Sequence, residues 1–294
     1  EGLPEMTGTT HTPILRPDGS VLMTPGHDPA TGLVYLPPAG LTINVPDKPT
    51  ARQIKDAIEL LEDLISEFPW VSEADRINYL AAWLSPVLMP VIAEPGPMLL
   101  INAPMMGSGK TYLADILDAT HGAVKRPPLV RDDTELSNRI VAVLDKTTAP
   151  VVVFDNCADP IGSPVLAAVL TSTTLCERIL GKSEDAQLST KRLWVATGNN
   201  ITLAGDMARR GLWTSIDPRM PQPWTRTGYK HNTPAGHVRR NRGEYLSAML
   251  TLARAWALAG MPQPTSRTDS AAQWFGVTTG VLQVAGLTEI VGNT

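Results

Sequence analysis

The run Met98-Leu99-Leu100-Ile101-Asn102-Ala103-Pro104-Met105-Met106-Gly107-Ser108-Gly109-Lys110-Thr111 decides how this 294-residue chain is read. Its first six residues are mostly apolar, as in a buried strand. The residues from about 109 to 120 then repeat apolar side chains at helical spacing. A glycine-rich turn that leaves a strand and opens a helix on Lys-Thr has the pattern of a phosphate-binding loop. Gly107, Ser108 and Gly109 let backbone N–H groups converge on phosphate oxygens, and the helix N-terminus adds its positive dipole end. Lys110 can reach β- and γ-phosphates, and the Thr111 hydroxyl can ligate Mg²⁺. One position departs from the full pattern, which has glycine five residues before Gly109, where Pro104 stands. A glycine-rich strand–helix turn carrying Gly-Lys-Thr by chance is the alternative.

Three stretches downstream bear on that choice. Val151-Val152-Val153-Phe154-Asp155-Asn156 is an apolar strand ending in an acid. Asp155 at the carboxyl end of a neighbouring strand could hold the Mg²⁺ shell. Leu193-Trp194-Val195-Ala196-Thr197-Gly198-Asn199-Asn200 ends in amides. If this strand lies between the other two, one of its asparagines points at the γ-phosphate and the attacking water. Gly205-Asp206-Met207-Ala208-Arg209-Arg210 precedes a further strand. Arg209 or Arg210 could neutralise a transferring phosphoryl group on a neighbouring subunit, or pair with Asp206 at the surface.

The coarse pattern is of strands alternating with helices. The expected strands are Met98–Ala103, Pro128–Val130, Val151–Asp155, Arg192–Gly198 and Trp213–Asp217, with helices near 109–120, 133–146, 163–173 and 205–211. Such alternation predicts a parallel sheet covered on both faces. Upstream, residues 13–36 read as a small antiparallel meander and 37–50 as a proline-rich linker. Thr50 and Gln53 form a capping box ahead of an amphipathic helix that Pro69 stops. Ser72 starts a second helix to about Leu84, and Glu244–Ala259 reads as another near the C-terminus.

In order and type these features resemble the AAA+ ATPase core: GSGKT resembles Walker A, VVVFDN Walker B, ATGNN sensor 1 and DMARR the arginine-finger region. The stretches RILGKSEDAQLSTKRLWVATGNN, GDMARR and PWTRTGYKH further resemble the helicase-like ATPase part of phage and integrative-element replication proteins, which often carry a primase module upstream. The resemblance implies a three-layer α/β/α core with a parallel five-stranded sheet, an N-terminal β meander and helices, and a C-terminal helical lid. The corresponding boundaries are 1–50 for meander and linker, 51–96 for the helical linker, 97–220 for the core and 221–294 for the lid region. It further implies ATP and Mg²⁺ as cofactors, a hexameric ring, and single-stranded or forked DNA as partner. By the same resemblance Asn199 senses the γ-phosphate, and Arg242 is the sensor 2 choice. A hairpin pairing 178–183 with Lys191–Val195 would point Lys182 at the phosphate backbone of a DNA strand, unless Lys182 lies in an ordinary solvated loop. Asn156 stands where a water-activating Glu is usual. An amide cannot take a proton, though it can orient water.

Composition sets outer bounds. Lys+Arg 25 against Asp+Glu 29 gives a net charge of −4, with 43% apolar and 18% charged residues, so the composition is globular rather than disordered. The charge is uneven: residues 191–242 carry ten basic and two acidic side chains, net +8. Such a segment can face phosphate, of nucleotide or of nucleic acid. Cys157 and Cys176 have no metal-ligand spacing, and a reducing cytoplasm is the expected setting. The apolar stretch 79–106 is broken by Glu94 and by prolines 86, 90, 95, 97 and 104, which argues against a membrane span. Two other readings stay open: a AAA+ remodeller or loader acting on protein, and a nucleotide-dependent scaffold with weak hydrolysis.

Overall fold

A computed structural model of the chain describes residues 6–122, 130–178, 185–265, 267–288 and 291–292. Near the N-terminus, β1 (Gly8–Thr10), β2 (Ile14–Leu15), β3 (Val21–Leu22), β4 (Gly26–Asp28) and β5 (Leu33–Tyr35) form two small sheets, not the single meander expected. β2 and β3 make a hairpin, while β5 pairs antiparallel with β4 and parallel with β1. β1 is Gly-Thr-Thr, with no apolar alternation to announce a strand.

Two helices follow. α1 (Ala51–Ile65) begins with the expected capping box: Gln53 N–H donates to the Thr50 hydroxyl at 3.3 Å, and Thr50 N–H to Gln53 Oε1 at 2.9 Å. It ends at Ile65, so Phe68 lies beyond it. α2 (Glu73–Leu88) starts at an Ser72 cap and runs one turn further than expected, through Pro86. Proline there removes the N–H that would bond the Ala82 carbonyl. The Ser85 hydroxyl bonds that carbonyl instead, at 2.9 Å.

The remaining elements are β6 (Met98–Ala103), α3 (Lys110–His121), α4 (Asp133–Lys146), β7 (Val151–Cys157), α5 (Pro164–Val169), β8 (Thr174–Arg178), β9 (Asp185–Ser189), β10 (Leu193–Asn199), β11 (Gly211–Ser215), α6 (Pro234–Arg240), α7 (Arg242–Leu258) and α8 (Ala272–Val284). Four parallel strands form the central sheet in the order β11-β6-β10-β7, so β10 lies between β6 and β7. The fifth strand expected at 128–130 falls outside the described residues but for Val130, which is not in a strand. β11 starts two residues earlier than expected, and residues 205–209 form a 3₁₀ turn rather than an α-helix.

Alternation along the strands builds two cores, one on each face of the sheet. Leu99, Ile101, Val151, Val153, Leu193 and Val195 share one core with buried residues of α1, α2, α3, α7 and α8. Met98, Leu100, Val152, Phe154, Trp194 and Ala196 meet α4 and α5. The molecule is thus a mixed α/β fold with helices on both sides of a parallel sheet. β8 and β9 stand apart as an antiparallel hairpin in the register Thr174↔Ser189 to Arg178↔Asp185. The expected partner, Lys191–Val195, gives its apolar residues to β10 instead. Lys182 lies outside the described residues. Among the described residues no helix is long and apolar enough to cross a membrane.

Candidate functional site

The strand β6 delivers the loop 104–109 to the carboxyl edge of the sheet, and the loop closes on one carbonyl. Met105 O accepts from the Ser108 hydroxyl at 2.7 Å and from Lys110 Nζ at 3.1 Å. Gly107 and Gly109 have φ of +73° and +104°, a region closed to most side chains. Gly109 is the N-cap of α3 and offers no side-chain acceptor to the first turn, so amide donors at that helix start are open to an anion. Lys110 is only 8% exposed. Burial pushes its pKa down, and the nearby negative charge of Asp155 acts the other way. A poorly hydrated cation at the positive end of a helix dipole calls for negative charge beside it. Thr111 is exposed on the same first turn.

The facing strand supplies acid and amides through a β-bulge. Ala196 pairs with Phe154 and Gly198 with Cys157, so Asp155 and Asn156 together oppose the single residue Thr197. Asn156 takes the left-handed conformation, φ 58°, which asparagine tolerates better than most residues. Strict alternation would turn one of the two inward, whereas the bulge leaves both exposed at the strand end. Thr197 Oγ1 donates to Asp155 Oδ1 at 2.6 Å and accepts from Asn156 N–H at 2.9 Å. From β10, in register with Ala103, Asn199 Oδ1 accepts from Lys110 Nζ at 2.6 Å. Asn200, also left-handed at φ 50°, donates its N–H to Ala103 O at 3.0 Å and its amide to Pro104 O at 3.3 Å. Proline in place of the pattern's first glycine is therefore held through its carbonyl.

A cleft of about 480 Å³ opens beside the loop. Phe68, just past α1, lines one side, and Trp224, Arg226, Tyr229 and His231 line the other. Trp224 is 60% exposed, and its ring lies so close to Gly107 that a Cβ there would come within 2.9 Å of it. Arg226 stacks over Tyr229 at 4.7 Å and donates to Glu67 O at 3.3 Å. Lys230 donates its N–H to Glu67 Oε2 at 2.6 Å and pairs its ammonium with Asp63. His231 Nε2 lies 3.4 Å from Asp63 Oδ2. The segment is strapped to the end of α1, and no residue of α7 or α8 lines the cleft. Sequence reasoning missed these residues, although the stretch from Pro223 to His231 packs Trp, Arg, Tyr, Lys and His into nine positions.

The remaining candidates lie elsewhere. Arg209 and Arg210 both bond Asp206, Arg209 at 2.6 Å. Arg210 O accepts from Met98 N–H at the start of β6, so the pair sits at the amino end of the sheet. Six residues of strand separate it from the loop, about 20 Å at the usual rise. Arg209 is 72% exposed and Arg210 only 12%. Arg242, expected near the phosphates, is at the far end of α3. Its Nε donates to Thr120 O at 2.7 Å and its Nη2 to Thr12 Oγ1 at 3.1 Å. It caps the last turn of α3, at a carbonyl ten residues from Lys110 along the helix. Arg192 is likewise consumed by carbonyls, those of Ala149 at 2.9 Å and Thr147 at 2.6 Å. Much of the basic segment therefore serves carbonyls and surface ion pairs within the chain rather than phosphate. Among the described residues no three His, Cys, Asp or Glu side chains converge as a metal cage.

No family model matches the chain, and no curated protein does. Among solved structures, an A-form structure of the NrS-1 C-terminal region is similar with a TM-score of 0.49 and 14% identity, over 74% of this chain and 49% of that one. A second structure of that region gives 0.43 and 14%, over 88% and 56%. The X-ray structure of JCV helicase gives 0.33 and 13%, over 80% and 67%. The chain spans about half the length of the NrS-1 region it matches. These scores stay below 0.5, and the functional reading rests on the geometry of the site.

Proposed function

We propose that the chain is an ATP-hydrolysing motor of the AAA+ kind, the helicase domain of a phage or mobile-element replication protein working on DNA as a ring. The observation that carries the reading is the buried Lys110, set at a glycine-opened helix start and facing Asp155 and Asn199 on adjacent parallel strands. In this reading Lys110 and the loop amides hold the β- and γ-phosphates, and Asn199 senses the γ-phosphate. The donor set fits Mg²⁺: an exposed hydroxyl on Thr111 and an exposed carboxylate on Asp155 suit an ion that takes few protein ligands beside phosphate oxygens and water. When bound, Mg²⁺ neutralises charge developing on the transferred phosphoryl group. Asn156 orients the attacking water without taking its proton. The base enters the cleft between Phe68 and the strap that carries Trp224 and Tyr229.

Arg209 is the finger acting on the neighbouring subunit, because it is exposed and far from its own loop, whereas Arg210 is mostly covered. The β8–β9 hairpin is the DNA-tracking element in this reading, and Lys182 is its candidate phosphate contact. The test is the ATPase rate with and without single-stranded DNA, beside a particle-size measurement. Stimulation by DNA in a ring of about six subunits is expected. Hydrolysis indifferent to DNA in an assembled ring would overturn the helicase reading in favour of a protein remodeller. Asn156, at a position where a carboxylate is usual, favours a second reading: a scaffold that binds ATP tightly and turns it over negligibly.

A further inference from the structure

We infer that Thr197 is the positioning residue of the site, setting both the carboxylate and the amide through one hydroxyl. The inference rests on the proposed nucleotide chemistry and goes beyond it, since Thr197 touches neither phosphate nor metal in that reading. Thr197 is 1% exposed, so neither of its hydrogen bonds competes with bulk water. Its Oγ1 hydrogen goes to Asp155 Oδ1 at 2.6 Å, and its lone pair takes the Asn156 N–H at 2.9 Å. The two bonds close the bulge at the point where two residues of β7 face one of β10.

The consequences follow from donor and acceptor roles. With Oδ1 committed to the hydroxyl, the rotation of the carboxylate is fixed and its other oxygen is turned away from that bond. Held by its N–H, the backbone of Asn156 keeps the left-handed turn at φ 58°, which aims its side chain out of the strand. Hydrogen-bond partners of a metal-binding carboxylate typically carry about 10- to 100-fold in metal affinity or activity.

Thr197→Val keeps the shape and removes both donor and acceptor, whereas Thr197→Ser keeps both. Calorimetric titration of a non-hydrolysable ATP analogue at stepped Mg²⁺ concentrations gives a readout independent of turnover. The Mg²⁺ concentration for half-maximal tightening should rise about tenfold or more in the valine variant. The serine variant should stay within about threefold of wild type, and analogue binding without Mg²⁺ should be equal in all three. Turnover should fall in kcat for valine, with little change in KM. Should the valine variant fail to fold, Thr197→Ala read against Thr197→Ser supplies the same contrast. Unchanged Mg²⁺ dependence in the valine variant would overturn the inference. So would equal loss in valine and serine variants, because serine keeps the hydroxyl that makes both bonds. If wild type binds no analogue at all, the ATPase reading fails first and this inference with it.

Discussion

The two ends of α3 each have a cation, and the two are held in opposite ways. At the N-terminal end Lys110 is buried against the positive pole of the helix, with one carbonyl and one amide oxygen as partners. At the C-terminal end Arg242 meets the negative pole and satisfies the Thr120 carbonyl and the Thr12 hydroxyl. The first arrangement is poor for stability and leaves a charge in need of an anion. The second is favourable in both dipole and hydrogen bonding. The cation at the positive pole of α3 therefore marks the site, and the one at its negative pole marks the frame. His121, the last residue of α3, sharpens the contrast. Burial pushes its pKa down to about 3, and the charge of Arg242 adds to the effect. That end of the helix holds one cation, not two.

Substitutions can break this comparison, and the largest effect on stability is expected at Arg242. Arg242→Ala removes two bonds to a charged donor and should cost about 3 kcal/mol in urea unfolding, with nucleotide affinity unchanged within about twofold. Unchanged stability together with lost nucleotide binding would return Arg242 to the phosphates. His121 is expected to make stability depend on pH. Its ordinary pKa of 6.5 falls to about 3 in the folded chain. Between those values the unfolded chain binds a proton that the folded chain refuses. Stability should therefore fall as pH drops through that window, at up to about 1.4 kcal/mol per unit. His121→Gln should remove that share, read as the difference between the two proteins in unfolding from pH 6.5 to 4; coincident slopes would contradict it. The smallest stability effect is expected at the Lys110 end. Asn156→Gly keeps the left-handed turn and should shift stability by less than about 1 kcal/mol, while ATP turnover falls because the orienting amide is gone. A large loss of stability with normal turnover would make Asn156 part of the frame.

How far the sequence foretold this depends on whether a residue's partners are local or periodic. α1 and α4 were legible because their caps and apolar faces lie within one segment. The parallel strands were legible as apolar runs, and the placing of β10 between β6 and β7 meets the condition set for Asn199. α8 was not legible, because Trp274 to Leu282 are all buried and carry no helical period. The misplacing of Arg242 has a similar cause. Read along the chain it opens α7, where its charge opposes the dipole, but its partner carbonyl is 122 residues away on α3. The bulge escaped notice because it exists only in the pairing of two strands, Asp155 and Asn156 against Thr197. The aromatic wall of the cleft comes from a segment without regular periodicity, held by Asp63 and Glu67 across more than 150 residues of chain.

The central claim is that Lys110 exists for an anionic ligand and Arg242 for the fold. Thermal unfolding with and without Mg²⁺-ATP tests both at once. At about a hundredfold excess over its dissociation constant, a ligand bound only by the folded state stabilises it by about 2.7 kcal/mol. Wild type should show that upward shift, and Arg242→Ala should melt lower and show the same shift. Lys110→Ala should melt no lower than wild type without nucleotide and show no shift with it. A Lys110→Ala protein that shifts as wild type does would contradict the account.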